Sequence, residues 1–206
     1  MNQINVTIVD YGAGNLRSVA RAFETLGATP HISSDPKTIM DADALLLPGQ
    51  GACDSAMAAL QSHNLNEAIV TAIESGTPFF GVCLGLQLLL EFTEEGPSEC
   101  LGIVAGGVRR LPTNLKVPHM GWNTVTIVKD HPVFADIPQE SYFYFVHSYY
   151  ADPTQLDIIA ANCNYGIEFC SAIAIDNVVA TQFHPEKSGV VGLKLYRNFL
   201  EMIARS

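Results

Sequence analysis

Residues 78–92 place the strongest constraint on how this chain can fold. The first half of this stretch is short, apolar and aromatic, which predicts a buried strand. The second half carries Leu, Gln and Glu without β-branched residues, which predicts a helix through residue 92. Cys83 lies at the junction, between Gly81 and Gly85. This pattern predicts a sharp strand-to-helix turn that lifts a nucleophile above a sheet.

The glycines and the helix have separate physical roles in such a turn. Strand and helix come so close together that side chains at positions 81 and 85 would collide. The backbone at position 83 is strained, and the free N–H groups of the helix start direct positive potential at the sulfur. That potential favours the thiolate, which is the reactive form. The alternative is that Cys83 is a small buried hydrophobic residue, so a partner base is needed to decide.

Length, charge and cysteine usage exclude several classes of protein. The 206 residues predict a single domain over 1–206, and 21 acidic against 11 basic residues argue against nucleic-acid binding. The first residues lack a basic segment and no apolar run could span a membrane, so we expect a cytoplasmic protein. Five irregularly spaced cysteines predict no disulfide framework, no metal and no cofactor. Four are interpreted as structural thiols: Cys53, Cys100, Cys163 and Cys170.

The first half of the chain alternates strands and helices, which is typical of a parallel sheet covered on both faces. Strands are predicted at 4–9, 29–33, 44–47 and before Cys83, and helices at 16–26, 36–42 (a helix or turn), 52–62 and 64–75. The glycine-rich turn at 10–15 matches a dinucleotide-binding fingerprint at Gly12 and Gly14 only. Arg17 occupies the third glycine position, so a tight turn with Asn15 as the helix N-cap is favoured.

The second half is richer in strands and predicts antiparallel pairs. Strands are expected at 101–111, 124–129, 142–151, 158–161, 167–175 and 178–183, and an amphipathic helix at 190–204. Residues 118–123 lie between predicted strands, and their Pro and Gly interrupt the periodicity, so a loop is expected there.

Two further segments fall where α/β active sites form. The glycine-containing loop at 48–52 follows a strand, and its backbone N–H groups could build an oxyanion hole or simply turn the chain. His184 follows another strand, and in extended geometry Glu186 faces the same side. Glu186 could then accept the imidazole N–H and stabilise the imidazolium. Taken alone, residues 184–186 would be interpreted as an exposed turn.

The combination is more specific than its parts. The chain contains, in order, PGQG at 48–51, GVCLGLQ at 81–87 and HPE at 184–186, and over its whole length it resembles the class I (triad) glutamine amidotransferases. Four further segments resemble one branch, the glutaminase subunit of imidazole glycerol phosphate synthase in histidine biosynthesis: YGAGN at 11–15, PHMGWN at 118–123, FVHSY at 145–149 and EKS at 186–188. The resemblance implies an α/β fold with a mixed sheet, a parallel core with helices on both faces and antiparallel strands in the C-terminal half.

The resemblance also implies roles for individual residues. Cys83 attacks glutamine, His184 transfers protons, and Glu186 orients His184, giving glutamate and ammonia through a thioester. The oxyanion hole is assigned to the backbone of three residues: Gln50, Gly51 and Leu84. Substrate binding is assigned to five: Gly49, Gln87, His147, Ser148 and Tyr149. From the residues alone, Gln87 could be a helix-surface amide and His147 a satisfied core histidine.

The implied partner is a separate (βα)8-barrel cyclase subunit. It would use the ammonia to make imidazole glycerol phosphate and the aminoimidazole carboxamide ribotide. The interface is assigned to six residues: Asn15, Pro118, His119, Met120, Trp122 and Lys187. Met and aromatic side chains are enriched at interfaces, although Trp122 could instead fold back as a lid on the core.

The sequence leaves three rival interpretations open. The first is another class I glutaminase subunit, such as the one that serves pyridoxal phosphate synthase, and residues 118–123 argue against it. The second is a cysteine hydrolase or peptidase on the same kind of fold. The third is a non-catalytic binding module, which the intact Cys83, His184 and Glu186 argue against.

Overall fold

The computed structural model describes residues 5–205, so Ile4 of the first predicted strand lies outside the described residues. Up to residue 83 the predicted alternation is confirmed. The strands are β1 (Asn5–Val9), β2 (Thr29–Ser33), β3 (Ala44–Gly49) and β4 (Phe79–Cys83). The helices are α1 (Leu16–Thr25), α2 (Pro36–Met40), α3 (Cys53–Ser62), α4 (Leu65–Glu74) and α5 (Leu84–Gln87). The Asn15 side chain accepts a hydrogen bond from the Ser18 N–H, which confirms Asn15 as the N-cap of α1.

The second half is strand-rich, as predicted. Its strands are β5 (Phe92–Thr93), β6 (Gly106–Arg110), β7 (His119–Ile127), β8 (Ser141–His147), β9 (Tyr149–Pro153), β10 (Ile159–Asn164), β11 (Glu168–Ile175) and β12 (Val178–Thr181). Helix α6 (Gly189–Ile203) follows, and short 3₁₀ turns occur at Pro132–Phe134, Leu156–Ile158 and Pro185–Lys187. Within residues 5–205, no helix is long and apolar enough to cross a membrane.

One mixed sheet organises the described chain. Its main path runs β2-β1-β3-β4-β12-β11-β10-β7-β8, and β5, β6 and β9 branch from it through the pairing of β9 with β11. The strands from β2 to β12 along this path are parallel, and the later pairs are antiparallel. Hydrophobic clusters cover both faces, one with α1 and α6 and the other with α3 and α4. The α/β fold with a parallel core and helices on both faces is therefore confirmed.

The sheet order brings three chain segments to one edge. Strand β4 lies between β3 and β12, and all three run in the same direction. Because the carboxyl ends of parallel strands meet at the same edge, the loop after Gly49, the turn at Cys83 and the segment leading to His184 become neighbours.

The helix predicted through residue 92 is wrong beyond its first turn. Helix α5 ends at Gln87, and residues 88–90 turn away while remaining fully buried. Their carbonyl oxygens accept hydrogen bonds from the N–H groups of Leu101, Gly102 and Val104 at 2.8–2.9 Å. These tertiary hydrogen bonds take the acceptors that a longer helix would need. They also explain why the strand predicted at 101–111 begins only at Gly106 in β6.

Residues 119–123 belong to β7, so the loop predicted at 118–123 is wrong. Each residue from His119 to Val125 pairs with β8, from His147 back to Ser141. Pro118 precedes the strand and therefore removes no hydrogen bond from the ladder. The strand predicted at 142–151 is two strands, because the chain changes partner at Ser148: β8 pairs with β7, and β9 pairs with β6.

The glycines of the strand-to-helix turn permit the close packing that the sequence predicts. A Cβ atom at position 81 would lie 2.8 Å from the Gly85 carbonyl oxygen, and one at position 85 would collide with the Leu47 carbonyl oxygen of β3. Both obstacles are backbone atoms and cannot rotate away. Helix α5 therefore packs directly on β3 and β4, and this packing holds Cys83, at the junction of β4 and α5, in place.

We predict that Gly85→Ala lowers the free energy of unfolding by about 3 kcal/mol, the upper end of the usual cost of overpacking. Urea denaturation measures this change. Gly76→Ala is the control, because position 76 has a φ of +90° but open space around its Cα. That control should lose only about 1 kcal/mol. Equal losses for the two variants would show that the contact with β3 is unimportant.

Candidate active site

Cys83 sits at the C-terminal end of β4 in a strained conformation. Its φ is 56° and its ψ is −100°, in a region that non-glycine residues rarely adopt. The side chain is buried, with Sγ 3.8 Å from the Val146 carbonyl oxygen and 3.6 Å from Nε2 of Gln182. The turn predicted at this position is present, and it points the thiol at β8 and at the segment that follows β12.

His184 and Glu186 form a buried pair. His184 Nδ1 lies 2.8 Å from Glu186 Oε1, and the two side chains are 3% and 2% exposed. The predicted pairing is correct but its predicted geometry is not, because Pro185–Lys187 forms a 3₁₀ turn instead of extended chain. The Tyr196 hydroxyl lies 3.4 Å from the second carboxylate oxygen. The backbone N–H of His184 donates to the Tyr144 carbonyl at 2.9 Å, which attaches this segment to β8.

The surroundings of His184 favour its protonated form. Burial alone would lower the pKa of the imidazole, but its interactions with Cys83 and Glu186 outweigh burial and raise the pKa to about 9. Nδ1 faces the carboxylate, whereas Nε2 is buried and has no hydrogen-bond partner among residues 5–205. The imidazole can therefore hold a proton at Nε2 and present it to a group that enters beside the thiol.

A cavity of about 420 Å³ joins the predicted segments. Eleven of the residues assigned from the sequence line it: Gln50, Gly51, Cys83, Leu84, Gln87, Pro118, His147, Ser148, Tyr149, His184 and Lys187. Gly49 does not line the cavity, and a Cβ atom at this position would collide with the hydroxyl of Tyr11 and the side chain of Leu84. Glu95, Tyr144 and Val146 also line the cavity and were not predicted.

Gln87 is a buried structural link as well as a lining residue. Its Nε2 donates to the Tyr149 carbonyl at 2.8 Å and to Gln182 Oε1 at 3.1 Å, and Cys53 Sγ lies 3.8 Å from its Oε1. The helix-surface alternative is therefore wrong for Gln87. Its amide nitrogen is already engaged with the wall of the cavity, so its side chain shapes that wall.

His147 and His119 form a second buried pair behind the cavity. His147 Nδ1 lies 2.8 Å from the Tyr149 carbonyl oxygen, and its Nε2 lies 2.9 Å from His119 Nδ1. Burial lowers the pKa of His147 to about 3 and that of His119 to about 4, so both rings are neutral near pH 7. The core alternative therefore describes His147 well. His119, which the sequence assigned to an interface, has its side chain inside the protein.

The outward face of β7 is apolar and exposed. Met120 is 62% exposed and Trp122 is 56% exposed, so the alternative of Trp122 as a core lid is wrong. Asn15 is also exposed. Lys187 Nζ lies 5.8 Å from the centre of the Tyr144 ring, and both residues line the cavity. The apolar face therefore belongs to the strand that directly follows Pro118, which is itself at the cavity.

In addition to the cavity-lining Tyr144 and Val146, three residues of the site were not found from the sequence. Gln182 precedes His184 by two positions, so its place beside a candidate base was a usable signal. Tyr196 on α6 and Glu95 after β5 gave no such signal, since only the folded chain brings them to the site. Glu95 Oε2 accepts the N–H of Cys53 at 2.8 Å, which holds the carboxylate between the start of α3 and the cavity.

Comparisons with known proteins agree with this geometry. A family model described as glutamine amidotransferase class-I matches residues 7–203. The imidazole glycerol phosphate synthase subunit HisH of Dehalococcoides mccartyi is 49% identical over 96% of this chain and 97% of its own length. The protein of the same name from Methanothermobacter thermautotrophicus is 51% identical, over 96% and 98%. A solved glutamine amidotransferase structure superposes with a TM-score of 0.76 at 19% identity, over 96% of this chain and 98% of the other.

The superposed structure shows a shared fold, and the family model and the HisH relatives show the family. The chain belongs to the class-I glutamine amidotransferase family and, within it, to the family of imidazole glycerol phosphate synthase subunit HisH.

Proposed function

We propose that this chain is the glutaminase subunit of an imidazole glycerol phosphate synthase, acting in the cytoplasm as one glutamine amidotransferase domain. It hydrolyses glutamine to glutamate and ammonia through a thioester on Cys83. A cyclase subunit then uses the ammonia to make imidazole glycerol phosphate and the aminoimidazole carboxamide ribotide in histidine biosynthesis.

One observation carries the catalytic part of this proposal. The buried His184–Glu186 pair leaves Nε2 of His184 without a partner among the described residues, in the cavity that also holds the strained Cys83. A buried imidazole whose second nitrogen is unpaired is costly unless a reacting group uses it. A cysteine nucleophile, a base and an orienting carboxylate are the three components that thiol acyl transfer requires.

The reaction follows from these positions. His184 holds the proton of the Cys83 thiol as an imidazolium, and the Cys83 thiolate attacks the side-chain carbonyl carbon of glutamine. His184 then donates this proton to the departing amide nitrogen, which leaves as ammonia. Water, deprotonated by His184, attacks the thioester and releases glutamate. Glu186 holds the imidazole in place and stabilises its charged form throughout.

The loop after β3 and the start of α5 supply the oxyanion donors. The negative oxygen that forms during each attack needs two N–H groups directed at it. We assign one to Leu84, the first residue of α5, and the other to the backbone of Gln50 or Gly51, and all three residues line the cavity. Gly51 has a φ of +98°, a conformation that glycine adopts without strain.

The cavity wall also suits the charged end of free glutamine. Glu95 is the acidic residue among the described lining residues, so its carboxylate is the natural partner for the α-ammonium group. Backbone and side-chain groups of Ser148 and Tyr149, together with the wall that Gln87 shapes, complete the binding surface. This assignment requires a substrate with a free α-ammonium group and so disfavours an enzyme that cleaves within a peptide chain.

The cyclase subunit is assigned to the side of the cavity that holds Pro118 and Lys187. The adjoining outward face of β7 exposes Met120 and Trp122, and such side chains are enriched at interfaces. Ammonia must be used before it is protonated, since ammonium has no lone pair to attack with. Docking a (βα)8-barrel cyclase over this opening would keep the ammonia from bulk water. Assaying glutamine hydrolysis with and without the cyclase subunit tests the pairing, and we expect hydrolysis in the complex.

We predict that Cys83→Ala abolishes glutamine hydrolysis by the complex while leaving folding and partner binding intact, because the thiol contributes little packing. Glutamate release measures the activity, and thermal melting checks the fold. Cys163→Ala is the matched control, since Cys163 is also a buried thiol but lies in β10 away from the cavity. Appreciable hydrolysis by Cys83→Ala would mean that another residue is the nucleophile.

We predict that Glu186→Gln shifts the alkaline limb of the kcat/KM pH profile to lower pH. His184 is protonated below its pKa of about 9, which Cys83 and Glu186 raise against the effect of burial. Without the carboxylate, burial lowers the pKa of His184, so the proton is lost at lower pH. The kcat should fall less than in Cys83→Ala or His184→Ala.

The matched control for this profile is Glu67→Gln, which neutralises an exposed carboxylate on α4. It should keep the wild-type profile. A Glu186→Gln enzyme with wild-type activity and an unshifted alkaline limb would remove Glu186 from the triad.

We predict that Trp122→Ala weakens association with the cyclase by about 2 kcal/mol or more, as expected for an aromatic residue at the centre of an interface. The melting temperature of the isolated chain should barely change, because Trp122 is 56% exposed. Calorimetric titration measures the affinity. Leu156→Ala is the control, since Leu156 is exposed outside the proposed interface. Equal affinities for wild type and Trp122→Ala would place the interface elsewhere.

A further inference from the structure

We propose that Gln182 is a further catalytic residue, whose side-chain amide donates a hydrogen bond to Cys83 Sγ and stabilises the thiolate. The inference rests on the proposed function, because it assigns a role to a group that touches the reacting sulfur. It adds a fourth side chain to the Cys83, His184 and Glu186 set.

The position of Gln182 is set by the sheet. It follows β12, the neighbour of β4, and its N–H donates to the Ser171 carbonyl of β11 at 2.8 Å. The side chain has no solvent exposure, and Nε2 lies 3.6 Å from Cys83 Sγ. A fully buried amide is costly unless its donors and acceptor are used. The Gln182 amide contacts Cys83 Sγ and the side chain of Gln87.

A chain of hydrogen bonds fixes which end of the amide faces the sulfur. The Tyr149 carbonyl can only accept, so the Gln87 atom 2.8 Å from it is the NH₂ group. That same NH₂ group lies 3.1 Å from the Gln182 side chain, which must therefore offer its oxygen there. The remaining end of Gln182, the NH₂ group, faces Cys83. Turning the amide over would put two NH₂ groups face to face.

The Tyr149 carbonyl, at which this series of hydrogen bonds begins, is itself held in place. The Tyr149 carbonyl also accepts from His147 Nδ1 at 2.8 Å, and the His147 Nε2 atom is occupied by His119 at 2.9 Å. Because Nδ1 of His147 faces a carbonyl, it must carry the proton, and Nε2 then accepts from His119. The Gln182 donor is thus oriented before any substrate arrives.

The protonated His184 is one source of stabilisation for the Cys83 thiolate, and the Gln182 amide supplies a second. Helix α5 has only four residues, so the positive potential at its start is small. The Val146 carbonyl oxygen lies 3.8 Å from Sγ, where it accepts from the neutral thiol and repels a thiolate. The Gln182 N–H offsets that repulsion. Its interaction is strongest while the sulfur is anionic and weakens in the thioester, so it also favours departure of the thiolate when water attacks.

The test is the pH dependence of Cys83 alkylation by iodoacetamide in the isolated chain, with the labelled peptide identified by mass spectrometry. Gln182→Met removes the donor and keeps the length, whereas Gln182→Glu keeps the shape and places a carboxylate at the sulfur. We expect alkylation to begin at higher pH in both variants, and at the highest pH in Gln182→Glu. In the complex, kcat of Gln182→Met should fall about 10- to 100-fold with little change in KM, as expected for one hydrogen bond to a charged atom.

Asn198→Leu is the matched control, because it removes another buried amide, which donates to the Val133 and Ala135 carbonyls away from the cavity. It should keep the wild-type alkylation profile, and melting curves should show all variants folded. A wild-type profile in Gln182→Met, or equal profiles in the Met and Glu variants, would overturn the proposal even if kcat falls. Alkylation uses no glutamine, so a wild-type complex that fails to hydrolyse glutamine would refute the proposed function without deciding this one.

Discussion

The structure depends on the contact between helix α5 and strand β3, where Gly85 lies directly against the Leu47 carbonyl oxygen. No side chain fits in that contact, so the chain must turn from β4 into α5 within one residue, and Cys83 takes up the strained conformation. The same contact fixes the height of α5 above the sheet. It thereby sets the distances from the thiol to the loop after β3 and to the segment after β12, on which the chemistry depends.

Local patterns predicted the parallel half of the fold and the turn at Cys83, because both rest on short-range signals: alternating strands and helices, and a glycine on each side of Cys83. The grouping of His184 and Glu186 with Cys83 came from the family resemblance, because residues 184–186 alone indicate only an exposed turn. The failures came where tertiary hydrogen bonds override local preference. Residues 88–90 give their carbonyls to 101–104 instead of to a longer helix, and 119–123 pair with β8 despite a glycine. Gln182 was missed because its role depends on contacts with residues distant in sequence.

Strand β7 serves two regions of the molecule at once. Its outward side chains, Met120 and Trp122, form the exposed apolar face, while His119 points inward and is hydrogen-bonded to His147. His147 in turn binds the Tyr149 carbonyl, which also holds Gln87 at the cavity. Alternation along one strand therefore connects the proposed partner surface to the wall of the site, an arrangement that a loop at these positions would not provide.

The proposed reaction passes through a thioester between glutamine and Cys83. Its most direct test is to quench the complex with acid during turnover and search its peptides for a γ-glutamyl group by mass spectrometry. We expect this group on the peptide that contains Cys83, and we expect hydroxylamine, which cleaves thioesters, to remove it. Steady consumption of glutamine with the γ-glutamyl group on another residue, or with no covalent adduct at any quench time, would contradict it.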